Sequence, residues 1–129
     1  MKPIILVIGG GLAGLTTSLT ISANNGRVIL LEKQSILGGN SAKASSGING
    51  VLTKYQKEKN IDDNTTKFYH DTLRSAQRQY LGKYSNDLIK ILSEDSKKAI
   101  LWLEKKCNVH FDEVKMLGGH QEARTHRSS

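Results

Sequence analysis

The residues best suited to chemistry lie close together near the start of the chain. Gly9-Gly10-Gly11-Leu12-Ala13-Gly14 fits G-x-G-x-x-G, and Glu32 follows 18 residues after Gly14. Each patterned glycine answers a steric demand of phosphate binding. Gly9 permits a tight turn, Gly11 lacks the Cβ that would hold a pyrophosphate off the backbone, and Gly14 lets the next helix pack close to a sheet. The N-terminus of that helix presents unpaired N–H groups and the positive end of its dipole to the phosphates. A carboxylate at Glu32 can accept hydrogen bonds from ribose hydroxyls. The bland alternative is a chance glycine turn with Glu32 as a surface acid. Context weighs against it, because a strand precedes the motif, an amphipathic helix follows, and the acid ends the next strand. Together these features predict a dinucleotide site, and the motif leaves NAD and FAD both open.

The segment from Gly38 to Gly50 is rich in glycine and serine. Main chain of this kind can lie flat against a ring system while its N–H groups and hydroxyls bond pyrimidine-type edges and a diphosphate. The alternative is a flexible linker, against which Ile48 and Val51 stand as apolar anchors. Other polar residues read more plainly. His120, Arg124, His126 and Arg127 could form an anion site, but are expected to be solvated or folded onto a partner domain. His70 and His110 lack metal-ligand spacing to any Cys or acid, so no metal ligand is assigned. Cys107 is expected to be a small buried apolar residue, and Trp102 a core residue.

These groups need elements to hold them. Ile4–Ile8 is a continuous apolar run ending at glycines, the pattern of a strand buried on both faces of a parallel sheet. Leu12, Leu15 and Leu19 then share one helical face. Asn24-Asn25-Gly26 should stop that helix, with Gly26 in the left-handed position. Val28–Leu31 is a second buried strand, completing a βαβ unit. Residues 34–53 read as a long loop. From Thr65 the pattern is helical, with Phe68, Thr72 and Ala76 on one face and Asp62-Asp63 as capping acids. Leu88, Ile91 and Leu92 begin a further helix that Ala99, Ile100 and Leu103 continue, with Ser93 to Ser96 as a potential break. Val109-His110-Phe111 is a candidate strand. The expected fold is α/β, a Rossmann-like βαβ unit with a parallel sheet. Residues 1–53 carry that unit and the loop, 62–107 a helical insertion, and 108–129 a tail. The domain is expected to be incomplete.

The chain has 129 residues and 14.2 kDa, the size of one domain. That length excludes a multi-domain enzyme within this polypeptide. Nineteen Lys and Arg against 12 Asp and Glu give +7. The excess is spread among acids in residues 54–129, without a run of five like charges, so nucleic-acid binding is not expected. No apolar run approaches the length of a membrane span, and a cleaved secretory leader is not expected. The lone Cys107 cannot form an internal disulfide, so nothing points to an oxidising compartment. The cytoplasm is the expected location, with a mitochondrion or other organelle as the alternative.

The motifs together resemble a known family. Val7–Leu15, Leu31-Glu32-Lys33, Gly38-Gly39-Asn40-Ser41 and Ala44–Gly50 look like the soluble fumarate reductase flavoproteins of the fumarate reductase/succinate dehydrogenase family, nearest the NADH-dependent fumarate reductases of fungi and protists. Leu117-Gly118-Gly119-His120 with Ala123–Ser129 resembles a segment of the same enzymes. The resemblance runs the length of this chain and covers only the N-terminal part of the family's flavoprotein. It implies FAD as cofactor, with Gly9, Gly11, Ala13 and Gly14 on its pyrophosphate and Glu32, next to Lys33, on the adenosine ribose. It further implies Asn40, Ser41, Ser45, Ser46 and Gly47 on the diphosphate and flavin. Membrane-bound succinate dehydrogenases carry a flavin-linking histidine near the Asn40 position. Asn40 cannot form that bond, so non-covalent FAD is implied. The implied reaction passes a hydride from reduced flavin to fumarate, giving succinate. No residue here matches the family's substrate histidine, fumarate clamp or proton-donating arginine, so no catalytic residue is assigned and this chain alone is expected to be inactive. The alternatives are another FAD-dependent dehydrogenase or oxidase of the superfamily, such as a ketosteroid dehydrogenase or an aspartate oxidase, or a non-catalytic truncated remnant.

Overall fold

A computed structural model of the chain describes residues 2–80, apart from the Tyr80 side chain, and 83–128. Ser129, the end of the expected tail, lies outside the described residues. Two compact units emerge, Met1–Ser45 and Ser46–Ser129. The division falls within the segment 1–53.

In the first unit, β1 (Ile4–Ile8), α1 (Leu12–Ala23) and β2 (Arg27–Leu31) form the βαβ unit. The strands run parallel, with Ile4 opposite Arg27 and Ile8 opposite Leu31. The expected double burial is not found. Ile4, Ile5, Leu6, Ile8, Ile29 and Leu31 are all exposed, Ile8 most of all at 82%. A strand is covered on both faces only when neighbours and helices flank it, and this sheet has two strands. For the same reason α1 has no fully buried residue, and Leu12 and Leu19 of its apolar stripe are exposed. The helix ends with Asn25, not Gly26, in the left-handed conformation (φ 56°). Gly26 serves close approach instead. Its N–H donates to the Ile21 carbonyl at 2.8 Å, and an added Cβ would press on the Ile21 side chain.

The second unit holds every buried apolar side chain among the described residues, including Val51, Phe68, Ile100 and Phe111. Its elements are β3 (Ile48–Asn49), α2 (Lys54–Glu58), α3 (Thr65–Tyr80), α4 (Asn86–Cys107), β4 (Glu113–Lys115) and β5 (Thr125–Arg127). β5 is the central strand of an antiparallel sheet, with β3 on one side and β4 on the other. Thr53 and Gln56 form a capping box that starts α2, a pattern readable as Thr-x-x-Gln. Asn64, rather than Asp62 or Asp63, caps α3 by accepting from the Lys67 N–H at 2.9 Å.

Helix α4 is unbroken. Ser93 donates its hydroxyl to the Ile89 and Lys90 carbonyls, so its polarity is satisfied within the helix. Ser96 accepts from the Val51 N–H at 3.2 Å. The buried face is Ile89, Ser93, Ser96 and Ile100, while Leu88, Ile91 and Leu92 are exposed. Small serines let neighbouring backbone come close, which the apolar pattern does not register. Cys107 is exposed rather than buried, because it ends the helix. Trp102 is half-buried. Val109–Phe111 is not a strand; pairing with β5 begins at Glu113.

Candidate functional site

The glycine turn sits between the end of β1 and the start of α1. Gly9 has φ 101°, a conformation that L side chains rarely adopt, and its N–H donates to the Leu31 carbonyl at 2.7 Å. A Cβ on Gly14 would collide with the Gly9 carbonyl oxygen, so the helix could not sit this close to the turn. Gly11 differs from both. Its backbone is extended, and a Cβ there would meet nothing within 4 Å. Of the glycines in this turn, Gly11 is the one that neither conformation nor packing requires, and it faces open space. It is also the N-cap of α1, with no side-chain cap and no acid in the first turn. Ala13 lies exposed in that turn. Small surfaces, unclaimed helix N–H groups and a positive dipole end suit a pyrophosphate.

Glu32 lies at the far side of this turn. One carboxylate oxygen accepts from the Gly10 N–H at 2.6 Å and the other from the Gln34 N–H at 2.9 Å. These two bonds, Gln34 first, hold its carboxyl below the usual range. Gly10 is a functional position that the G-x-G pattern leaves free. A Cβ there would press on Leu37 and on Glu32. The Gly38 N–H donates to the Gly10 carbonyl at 2.8 Å, and Gly11 and Gly38 form a parallel bridge. Gly38-Gly39 thus backs the turn. Lys33, Asn40, Ser41 and Ser45 are exposed, and Asn40 precedes a short 3-10 turn at Ser41–Lys43.

Ser46 and Gly47 belong to the second unit, where they lead into β3. The Ser46 carbonyl accepts from Arg127 Nε at 2.8 Å. Gly47 has φ 110°, and a Cβ on it would strike the His126 carbonyl. The tail, expected to be solvated or folded onto a partner domain, is instead buried within this unit. Arg124, Thr125 and His126 are at most 2% exposed. Arg124 forks onto Asp63, with Nε to Oδ2 at 2.9 Å and Nη2 to Oδ1 at 2.7 Å. Its Nη1 donates to Asp71 Oδ2 at 2.7 Å. Its guanidinium also lies 4.9 Å from the Phe68 ring centroid. Its partners are therefore Asp63, read from sequence as a capping acid, and Asp71, which sequence reading did not single out, 61 and 53 residues away.

Hydrogen bonding fixes both histidine tautomers. Arg124 can only donate, so His120 Nδ1, 2.9 Å from its Nη1, is an acceptor. His126 Nδ1 faces the Arg124 carbonyl at 2.9 Å and must donate, leaving Nε2 to accept from the Thr53 hydroxyl at 2.7 Å. Both pKa values are lowered, chiefly by burial, which favours the neutral rings. Among the described residues no group of His, Cys, Asp and Glu could hold a metal ion.

The FAD binding domain model matches residues 5–129. The chain belongs to the FAD binding domain family. Its cofactor is therefore FAD rather than NAD. Among curated relatives in this family, fumarate reductase 1 of Saccharomyces cerevisiae is 45% identical over 97% of this chain and 26% of its own length. The fumarate reductase of Schizosaccharomyces pombe is 40% identical over 96% of this chain and 23% of its own. A flavocytochrome c3 fumarate reductase, solved in an open conformation, superposes with TM-score 0.87 at 33% identity. That match covers 98% of this chain and 22% of the other. The chain thus spans about a quarter of the length of the curated relatives. These relatives are reductases by name, and the mixed α/β fold with a parallel sheet matches that of the flavocytochrome c3 structure.

Proposed function

We propose that this chain holds FAD non-covalently for a fumarate reductase-type enzyme. The observation that carries the reading is the glycine turn, where Gly11 faces open space at the uncapped start of α1. Gly9, Gly11, Ala13 and Gly14 take the pyrophosphate there. Glu32, already turned toward the Gly10 N–H, takes the adenosine ribose beside Lys33. Asn40, Ser41, Ser45, Ser46 and Gly47 bond the diphosphate and flavin. Exposed hydroxyl and amide groups suit that task because they give and accept hydrogen bonds without carrying charge. Asn40 has no nucleophilic ring nitrogen, so it orients the cofactor without linking to it.

When bound and in its reduced form, the flavin would supply the hydride that converts fumarate to succinate. Residues 1–129 bind and orient; none is assigned to the substrate or to proton delivery. The names of the relatives and the 45% identity to a yeast fumarate reductase favour this reaction within the family. The deciding experiment is Gly11→Ala. Its Cβ would enter the cradle and touch no protein atom within 4 Å. Thermal stability without flavin should stay within about 0.5 kcal/mol. FAD affinity, read by flavin fluorescence titration, should fall by about 1–3 kcal/mol, the usual cost of overpacking a fitted site. Unchanged affinity would remove the pyrophosphate from this turn.

A further inference from the structure

Three hydrogen bonds and one close approach join β5 to the segment expected to meet the flavin. Arg127 Nε donates to the Ser46 carbonyl at 2.8 Å. The Thr125 hydroxyl donates to Asn49 Oδ1 at 2.6 Å. The Gly50 N–H donates to the Arg124 carbonyl at 2.9 Å. Ile48 and Asn49 pair with His126 and Thr125 in the sheet, and Gly47 leaves no room for a side chain against the His126 carbonyl. β5 is itself immobilised. Arg124 is clamped by two buried aspartates, and His126 is held through Thr53 at the start of α2. Position therefore passes from α3 through Arg124 to β5, and from β5 to Ser46–Gly50.

We infer that Thr125 and Arg127 are positioning residues for the flavin segment, acting through Asn49 and Ser46. This rests on the FAD-holding role proposed above. A segment that must present main chain and hydroxyls to a flat ring gains from being fixed before the ring arrives, because less ordering is left to binding. β3 is only two residues long and cannot supply that rigidity alone. The Thr125 hydroxyl and the Arg127 guanidinium reach it from outside its backbone ladder. Neither needs to touch the cofactor.

The test uses the flavin-loaded protein with Thr125→Val, Thr125→Ser and Arg127→Leu. Valine keeps the shape of threonine and drops the donor; serine keeps the donor. Leucine keeps an apolar stem near Gly47 and drops the bond to Ser46. Thr125→Val and Arg127→Leu should each weaken FAD binding by up to about tenfold, the order of one lost hydrogen bond. The visible circular dichroism of the bound flavin should change, because its surroundings have moved. Thr125→Ser should restore both readouts. A merely structural role would lower the unfolding temperature of both valine and leucine variants with the flavin spectrum unchanged, and that result overturns the inference. If Thr125→Val fails to fold, Arg127→Leu on the half-buried edge of the strand decides by the same two readouts. Failure of the wild-type protein to take up FAD would overturn the proposed function, and this inference with it. Uptake with both variants unaltered would overturn the inference alone.

Discussion

Replacing Arg124 by alanine should undo the second unit. The guanidinium is 1% exposed, and its partners Asp63 and Asp71 are 1% and 0% exposed. Removing one member of such a cluster leaves charge buried without compensation, which typically costs about 3–5 kcal/mol. Both carboxylates keep other donors, Gln56 Nε2 and the Asn64 N–H for Asp63 and the Gln121 N–H and the Arg74 guanidinium for Asp71. The loss should therefore fall near the lower end, about 3 kcal/mol. For a unit of this size that is a drop of about 12–24 °C in unfolding temperature. Thermal and urea unfolding followed by circular dichroism give the measurement, with Arg124→Lys as an intermediate because it restores the charge without the fork. The pH dependence has a definite sign. In the wild type, burial pushes the Asp71 carboxyl up, but the Gln121 N–H and Arg124 together outweigh it and its pKa is lowered below 3.8. Its stabilisation is present above that value and is lost as pH falls through the lowered one. Without Arg124 the upward push of burial faces less opposition, so protonation relieves the variant. The gap between variant and wild type should narrow from neutral pH toward 3.8. A variant within about 1 kcal/mol of wild type at neutral pH, or a gap that widens on acidification, would refute the reasoning.

Gly14→Ala should destabilise the first unit by about 1–3 kcal/mol, read by thermal unfolding, because its Cβ meets the Gly9 carbonyl rather than a yielding side chain. His126 should titrate below pH 6.5, its neutral form carrying the proton on Nδ1, as read from its ring nitrogen resonances. Because that pKa is lowered on folding, its contribution is complete above 6.5 and is lost as pH falls below 6.5, so urea stability should decline on that side. Acid or heat denaturation of the holoprotein should release all its flavin into the supernatant, since Asn40 cannot form a covalent link. Flavin fluorescence retained in the precipitate would contradict that assignment.

The sequence by itself determined β1, the start of α1 and the end of β2, because glycine stereochemistry and a continuous apolar run are local properties. It likewise placed the start of α3 at Thr65, where polarity and period change together. Burial was not legible in the same way. Leu88, Ile91 and Leu92 have the apolar character of a core face, yet α4 turns Ser93 and Ser96 inward, where small side chains admit the Val51 backbone. The separate demands on the turn's patterned glycines were legible from their spacing, and the surroundings agree: Gly9 needs its φ, Gly14 needs its space and Gly11 faces an opening. Only the surroundings show that Gly10, which the pattern leaves free, is held just as tightly against Leu37 and Glu32. Arg124 marks the limit most clearly. Its charge and the polar run around it read as surface, because a sequence states a residue's cost of burial but not its partners. Tertiary structure brought Asp63 and Asp71 to it from 61 and 53 residues away, and that pairing is what allows a charged strand into the middle of the sheet.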